Sequence, residues 1–381
     1  MKVALCFPGC HSRGGVERVV QASARYLASR GHDVHVFANE WDPDPDNNIH
    51  FHAVPMLHRP NFMRAPSFFK QCSKLLRPDE FDVVNIQGCE CPPGHVFRIH
   101  SLHRAWIESS KRFRSPLSPQ RIKQRLNPLH PLLLRLESRH LQTRQYKRLI
   151  ALTPDVRRDL YNYYGVPESD VDVVPNGFNQ TDFNPAARVA RRESMRNQLG
   201  LREDQIAMLL VANELQRKGY PTILNAMHQM PPAQLKNLRL LVVGMVSEQE
   251  VKTLAHAAGV GEQVQFCGPT RDVAAFHAAS DLFILPTQYE AFCLAILEAL
   301  ASGLPVITTR VPGAYDAIQP GINGMLIDDP TSGSELAAAI SSLLDSDRRA
   351  QLSAAAPLSV EAYRWPSVME RYEKVLLHQC A

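Results

Sequence analysis

From Leu282 to Ile307 the chain spells one complete strand–loop–helix–strand unit. Leu282 to Leu285 is a short apolar strand, a helical pattern begins near Cys293, and Gly303-Leu304-Pro305 turns the chain into a second apolar run. Such a unit sets a helix N-terminus, and any charge in front of it, at the carboxyl edge of a parallel sheet, where open α/β proteins bind ligands. Two carboxylates, Glu290 and Glu298, stand eight residues apart in it. Eight helical positions amount to about 80° of net rotation and about 12 Å of rise. The spacing places Glu290 in the loop and Glu298 two turns inside the helix. The pair could then touch opposite ends of an elongated ligand, with first-turn N–H groups between them for a phosphate. Either Glu by itself reads as a partly exposed residue on a helix rim, although an acid within an apolar run is costly without a partner.

The rest of the chain alternates in the same way. Lys2 to Phe7, a helical pattern from Val16 to Arg30 and Val34 to Ala38 form a β–α–β opening. Val83 to Ile86, Val96 to Ile99, Leu149 to Leu152 and Val171 to Val174 continue it, and His50 to Phe69 reads as a loop. Thr153-Pro154 marks a helix start with Pro at the first helical position. Pro175-Asn176-Gly177 to Pro185 is rich in turn residues and reads as a crossover between domains. A second β/α series follows at Ile206 to Ala212, Leu238 to Val243, Val264 to Phe266, Leu282 to Leu285, Val306 to Thr308 and Met325 to Ile327. At 381 residues the chain has room for two such domains. The boundaries read as 1–175 with a returning segment 363–381, and 176–362. Two consecutive α/β domains place a ligand cleft between them.

Charge is uneven. Residues 98–148 hold thirteen lysines and arginines against Glu108 and Glu137, within a chain of net charge +4. Trp106, Phe113, Leu126 and Leu132 to Leu134 are interleaved with them. Basic and large apolar residues together suit an anionic membrane surface. A solvated helical face pairing with acids elsewhere reads equally well, and no nucleic-acid module accompanies the charge. No apolar stretch approaches the roughly 20 residues of a membrane span, and Val3 to Pro8 is too short for a signal-peptide core. The expectation is a cytoplasmic protein, peripheral on the inner membrane if the basic segment binds it. Eight scattered cysteines read as buried thiols, since Cys89 and Cys91 lack zinc-site spacing. Asp42-Pro43-Asp44-Pro45-Asp46 reads as a surface turn, so no metal and no cofactor is expected.

Arg217-Lys218-Gly219 follows the strand at Ile206 and precedes a helix start at Pro221. Two cations before a helix N-terminus are suited to phosphate oxygens, with Arg offering a fork and Lys a compact charge. Gly14-Gly15 sits in the first β–α loop, but there is no G-x-G-x-x-G, so a dinucleotide fingerprint is not supported.

The 290–298 segment and its Gly-Leu-Pro-Val-Ile ending resemble the E-x7-E motif of the retaining glycosyltransferases of family 4. Arg30 to Val36, Gln216 to Gly219, Arg271 to Val273 and Ala278 to Leu282 are similar to the lipopolysaccharide-core glucosyltransferases among them. The resemblance covers nearly the whole chain. It implies a GT-B fold, two doubly wound Rossmann-like domains facing a cleft, with the C-terminal helix, preceded by Trp365, crossing back to the first domain. It implies transfer of a hexose, glucose favoured, from a nucleoside diphosphate sugar, UDP-linked, to a glycan or glycolipid acceptor, without a metal. By the same resemblance Lys218 binds the diphosphate. Asn213 stands where many members have Arg, and Arg217 takes over that role. Glu290 meets the sugar hydroxyls and Glu298 the ribose. The backbone of Phe292, Cys293 and Leu294 meets sugar and phosphate, with Cys293 replacing a frequent Gly. Gly14 and Gly15 lie near the diphosphate and acceptor, His100 contacts the donor sugar, with Ser101 and His103 as rivals, and Arg271 lies near the base.

Overall fold

The computed structural model describes residues 1–11, 14–42, 49–113 and 118–380. Ser12 and Arg13, the acidic turn at Pro43 to Asp46, and Arg114 and Leu117 lie outside them. The fold divides into two units, Met1–Asn176 with Trp365–Ala381, and Gly177–Arg364.

The first unit runs through β1 (Lys2–Cys6), β2 (Gly9–Cys10), β3 (Asp33–Ala38), β4 (Glu40–Trp41), β5 (Ile49–Ala53), β6 (Val83–Ile86), β7 (Val96–Ile99), β8 (Arg148–Ala151) and β9 (Val171–Val173). Seven of them form a parallel sheet in the order β5-β3-β1-β6-β7-β8-β9, and β2 pairs with β4. The order reverses between β1 and β6, the switch point at which such sheets open a crevice. Val3, Leu5, Val34, Val36, Val83 and Val96 form the core with Val20, Ala24 and Leu27 of the helix Gly15–Ser29. Val368, Met369, Tyr372 and Leu376 of the last helix, Trp365–Leu377, complete it. Trp365 is the first residue of that helix instead of preceding it.

The second unit carries β10 (Ile206–Val211), β11 (Leu238–Val243), β12 (Val264–Gly268), β13 (Leu282–Leu285), β14 (Val306–Thr309) and β15 (Gly324–Ile327). All are parallel, in the order β12-β11-β10-β13-β14-β15. Here the switch point falls between β10 and β13. The chain is thus two doubly wound α/β units.

One expectation fails and another holds only in part. Residues 50–69 are not one loop: His50 to Ala53 belong to the edge strand β5, and Arg64 to Phe69 open the helix Arg64–Leu75. Ile49-His50-Phe51-His52-Ala53 does alternate apolar and polar residues at the strand period, but over only five residues at the sheet edge and ahead of Pro55 and Pro60. The 98–148 segment follows the solvated-face reading in part. Arg104, Lys111, Arg112, Lys123, Arg125 and Arg135 are exposed, and one cation pairs with an acid elsewhere, but the segment is not a single face. Arg98 is fully buried in β7, and Arg148, in β8, holds Asp172 at 2.6 Å. Glu137 is buried and its carboxylate accepts the backbone N–H groups of His103 and Arg104, capping the helix His103–Phe113.

Candidate active site

Two loops leave the switch point of the second unit, 212–219 after β10 and 286–293 after β13, and one glycine lets them meet. Gly219 has φ of 78°, and a Cβ there would lie 2.0 Å from the carbonyl oxygen of Pro286. Only a residue without a side chain allows that approach. The Gln288 N–H donates to the Arg217 carbonyl at 2.9 Å, so the loops are stitched as well as touching.

This closeness brings Arg217, Lys218 and Glu290 together. Lys218 Nζ lies 2.6 Å and Arg217 Nη1 2.8 Å from the same oxygen, Glu290 Oε1. Thr287 Oγ1 donates to it at 3.1 Å. Arg217 also donates to the Tyr289 carbonyl at 2.8 Å, and its Nη2 reaches Glu214 at 3.1 Å. All three central side chains are largely out of water. Burial by itself would raise the Glu290 carboxyl, but Lys218 and then Arg217 outweigh it and hold the group below the usual carboxylate range. Burial would lower Lys218, and Glu290 reverses that, so the ammonium stays charged. Arg217 is held cationic in the same way by Glu290 and Glu214. A site with two cations on one carboxylate oxygen is suited to a further anion and ill-suited to a metal ion.

The helix Leu294–Ala301 starts directly after this cluster. Cys293 is extended (φ −103°, ψ 104°) and offers no side-chain cap, its carbonyl accepts the Ile296 N–H at 3.3 Å, and the N-terminal end of the helix faces the cluster. At the far end Gly303 (φ 74°) donates to Leu300 and Leu304 donates to Ala299, a Schellman termination that turns the chain into β14. Ile296, Leu297 and Leu300 are buried, each contributing roughly 1.5–3 kcal/mol. They fix the helix on the sheet, and with it the Glu290 loop. Glu298 is buried at 3 % exposure. The helix is eight residues long, so Glu298 stands in its second turn and less deeply than two full turns. Burial, opposed by Lys218, pushes the Cys293 thiol up to about 11, which keeps it neutral.

The other expected site residues fall as follows. Asn213 Oδ1 accepts the Met245 N–H at 2.8 Å and ties the ends of β10 and β11 together. Arg271 is exposed, and its neighbour Asp272 caps the helix Val273–Ala279 and pairs with Arg191. Phe292 is half-buried near Tyr363, and Leu294 is half-buried at the helix start. In the first unit Gly14 is the N-cap of the first helix and Gly15 its first residue. Neither has positive φ, and a Cβ on Gly15 would meet open space.

His100 follows β7, with its Nε2 2.8 Å from Gln87 Oε1. Burial and the nearby Arg98 hold its pKa well below the ordinary range, so the ring is neutral. Its rival His103 stacks on Trp106 and His130 at the head of its helix. Thr287, Glu214 and Gln87 escaped the sequence reading. Thr287 lies three residues ahead of Glu290 in the same loop, while Gln87 is brought in only by the fold.

The family model for glycosyl transferases group 1 matches residues 191–358, and that for glycosyltransferase family 4 matches residues 13–181. The lipopolysaccharide glucosyltransferase WaaG of Escherichia coli is 26% identical over 88% of this chain and 87% of its own length. A D-inositol 3-phosphate glycosyltransferase of Acidothermus cellulolyticus is 28% identical over 95% of this chain and 85% of its own. The crystal structure of WaaG, a glycosyltransferase involved in lipopolysaccharide biosynthesis, superposes with a TM-score of 0.85 at 25% identity, covering 98% of this chain and 99% of that one. The chain belongs to the GT-B glycosyltransferases with these two domains, and it resembles the lipopolysaccharide-core glucosyltransferases.

Proposed function

We propose that this glycosyltransferase moves a hexose, glucose favoured, from a UDP-linked donor to a glycan or glycolipid acceptor such as lipopolysaccharide core, with retention at the anomeric carbon and without a metal. The observation that carries the reading is the convergence of Lys218 and Arg217 on Glu290 directly ahead of a helix N-terminus. A diphosphate there would meet two fixed cations and oriented N–H groups, which stabilise charge on the leaving phosphate without reorganising. Glu290 holds the cations in place and takes the sugar hydroxyls, and Glu298 takes the ribose. The leaving phosphate accepts the acceptor's proton, so the protein supplies positioning and charge. In this reading 176–362 binds the donor, and 1–175 with 363–381 sets the acceptor.

Thermal shift with UDP-, GDP- and ADP-glucose tests the donor, since a ligand of the native state raises stability by mass action. UDP-glucose should give the largest shift, and anomeric analysis of the product should show retention. An inverted product, or epimerised sugar formed without an acceptor, would overturn the proposal in favour of another GT-B activity. A shift with no turnover of any donor would favour a non-catalytic binding protein.

Membrane recruitment has its own observation. In the helix Pro119–Leu126, Ile122 and Leu126 are 46% and 77% exposed among Arg121, Lys123 and Arg125. No helix among the described residues is long and apolar enough to cross a membrane. Binding at the cytoplasmic face of the inner membrane through this helix should appear as co-sedimentation with anionic vesicles that weakens as salt rises. Binding that ignores salt, or none, would reject it.

A further inference from the structure

Histidines of β3 and β5 form a second chemical site. β3 and β5 pair in parallel with His35 opposite His50 and Phe37 opposite His52. Side chains two apart on a strand share a face, so Asp33 and His35 of β3 stand beside His50 and His52 of β5. Asp33 Oδ1 lies 3.2 Å from His35 Nε2 and 3.3 Å from His50 Nε2. Among the described residues, Asp33, His35 and His50 form the group whose three possible ligand atoms all lie within 4.8 Å of one another. Ligands bound at about 2.0–2.2 Å in a tetrahedral zinc site lie about 3.3 Å from each other. The carboxylate oxygen is thus already at ligand spacing from both imidazoles.

The surroundings hold this arrangement. His35 Nδ1 is 2.8 Å from His52 Nε2. When His35 carries its single proton on Nδ1 and donates it to His52, the Nε2 lone pair is left facing the Asp33 oxygen, as a metal ligand requires. The His35 ring is wedged edge-on against Phe81 with centroids 5.1 Å apart, and His52 stacks on Phe37 at 4.4 Å. Lys2 is the opposing charge nearby, its ammonium 5.0 Å from the Phe81 ring centroid. The Asp33 carboxylate supplies the compensating negative charge. His50 and Asp33 are about half exposed, which leaves an entry path and an open position for water.

We propose that Asp33, His35 and His50 bind one divalent transition-metal ion of the zinc class, with His52 orienting His35. Two imidazoles and one carboxylate favour such an ion over Mg2+ or Ca2+, which prefer oxygen ligands. The ion would cross-link the edge strand β5 to β3. It shares no residue with the Glu290 cluster, so its failure would leave the transfer proposal standing.

The test uses the full chain after dialysis against a chelator. Zn2+ is titrated by calorimetry, Co2+ by its visible absorption, and Mg2+ serves as the hard-ion control. One equivalent of Zn2+ should bind and raise Tm, while Mg2+ should do neither. Asp33→Asn and His50→Ala, both at half-exposed positions, should each weaken Zn2+ more than about tenfold. His52→Phe should cost roughly 10–100-fold. His378→Ala, an exposed histidine elsewhere, should change nothing. Absence of stoichiometric Zn2+ binding by the unmodified chain overturns the proposal. So does Zn2+ affinity that is unchanged in Asp33→Asn and His50→Ala. The wild-type titration stands even if a variant fails to fold, and His50→Gln then replaces it.

Discussion

Each unit buries cations, and the two do it in opposite ways. In the second unit Arg217 and Lys218 share one oxygen of Glu290, and the carboxylate keeps both charged. In the first, Arg98 is fully buried and leans on neutral groups. Its Nη2 donates to the Pro175 carbonyl and to Asn176 Oδ1, each at 3.0 Å, and its guanidinium lies 5.1 Å from the Tyr372 ring centroid. Nε and Nη1 have no hydrogen-bond acceptor among the described residues, and burial brings its pKa down to about 10. Around it Tyr372 donates to Asn85 at 2.7 Å, and Gln87 links Asn85 to His100. A compensated cation pair can accept an anionic ligand; an uncompensated buried cation fixes neighbouring chain segments at a cost in desolvation. Here those segments are the crossover at Pro175 and the last helix.

The strongest way to break this contrast is Lys218→Ala. Loss of a charge-stabilising donor should lower kcat/KM by about 10²–10³-fold, with the far-ultraviolet circular dichroism unchanged. Steady-state assays with the accepted donor would settle it, and a change under threefold would put the diphosphate elsewhere. Glu290→Gln removes the compensation and keeps the shape. It should lower kcat more than it alters donor affinity, and it should destabilise by about 3 kcal/mol because two buried cations lose their partner. Urea unfolding would measure the second part.

Arg98→Met is the counterpart in the first unit. It removes an unpaired charge but strands two acceptors, so its cost should stay within about 1–3 kcal/mol. A loss larger than that of Glu290→Gln would reverse the contrast. Glu298→Ala should have the smallest effect, a weaker affinity for UDP of about tenfold with kcat nearly unchanged.

Acid should also separate the units. Glu290 is depressed below 4.5, so its contribution persists above that value and is lost only as pH falls through the lower folded value. His103, half-buried beside His130, is lowered from 6.5 to about 4, and His100 moves the same way. Their unfolded forms take up protons first, so this stability is complete above about pH 6.5 and is lost as pH falls, for His103 between there and about pH 4. Hydrogen exchange should therefore rise in β6 and β7 at a higher pH than in β10 and β13. Simultaneous loss would show that these histidines do not set the acid limit.

Much of this was written in the chain. The apolar runs at 238–243 and 282–285 coincide with β11 and β13, because strands buried on both faces leave no polar alternation to misread. The helix after Glu290 starts one residue beyond Cys293, because the apolar run and the Gly303 stop are both local signals. The edge strand β5 showed only as the five-residue alternation Ile49-His50-Phe51-His52-Ala53, without the continuous apolar run that marks the central strands. Arg98 was counted as a surface charge, because nothing within a few residues of it says that Tyr372 and Asn176 will close over it.

The sequence alone determined the α/β alternation, the helix caps and the positions of Glu290, Glu298 and Lys218, since these rest on interactions between residues close along the chain. Only the tertiary structure decided which charges meet. Lys218 and Glu290 are 72 residues apart and touch because β10 and β13 are neighbours and Gly219 has no side chain to keep their loops separate. His35 and His50 face each other through strand register. Pairing of that kind is set by sheet order and burial, which no local spacing encodes.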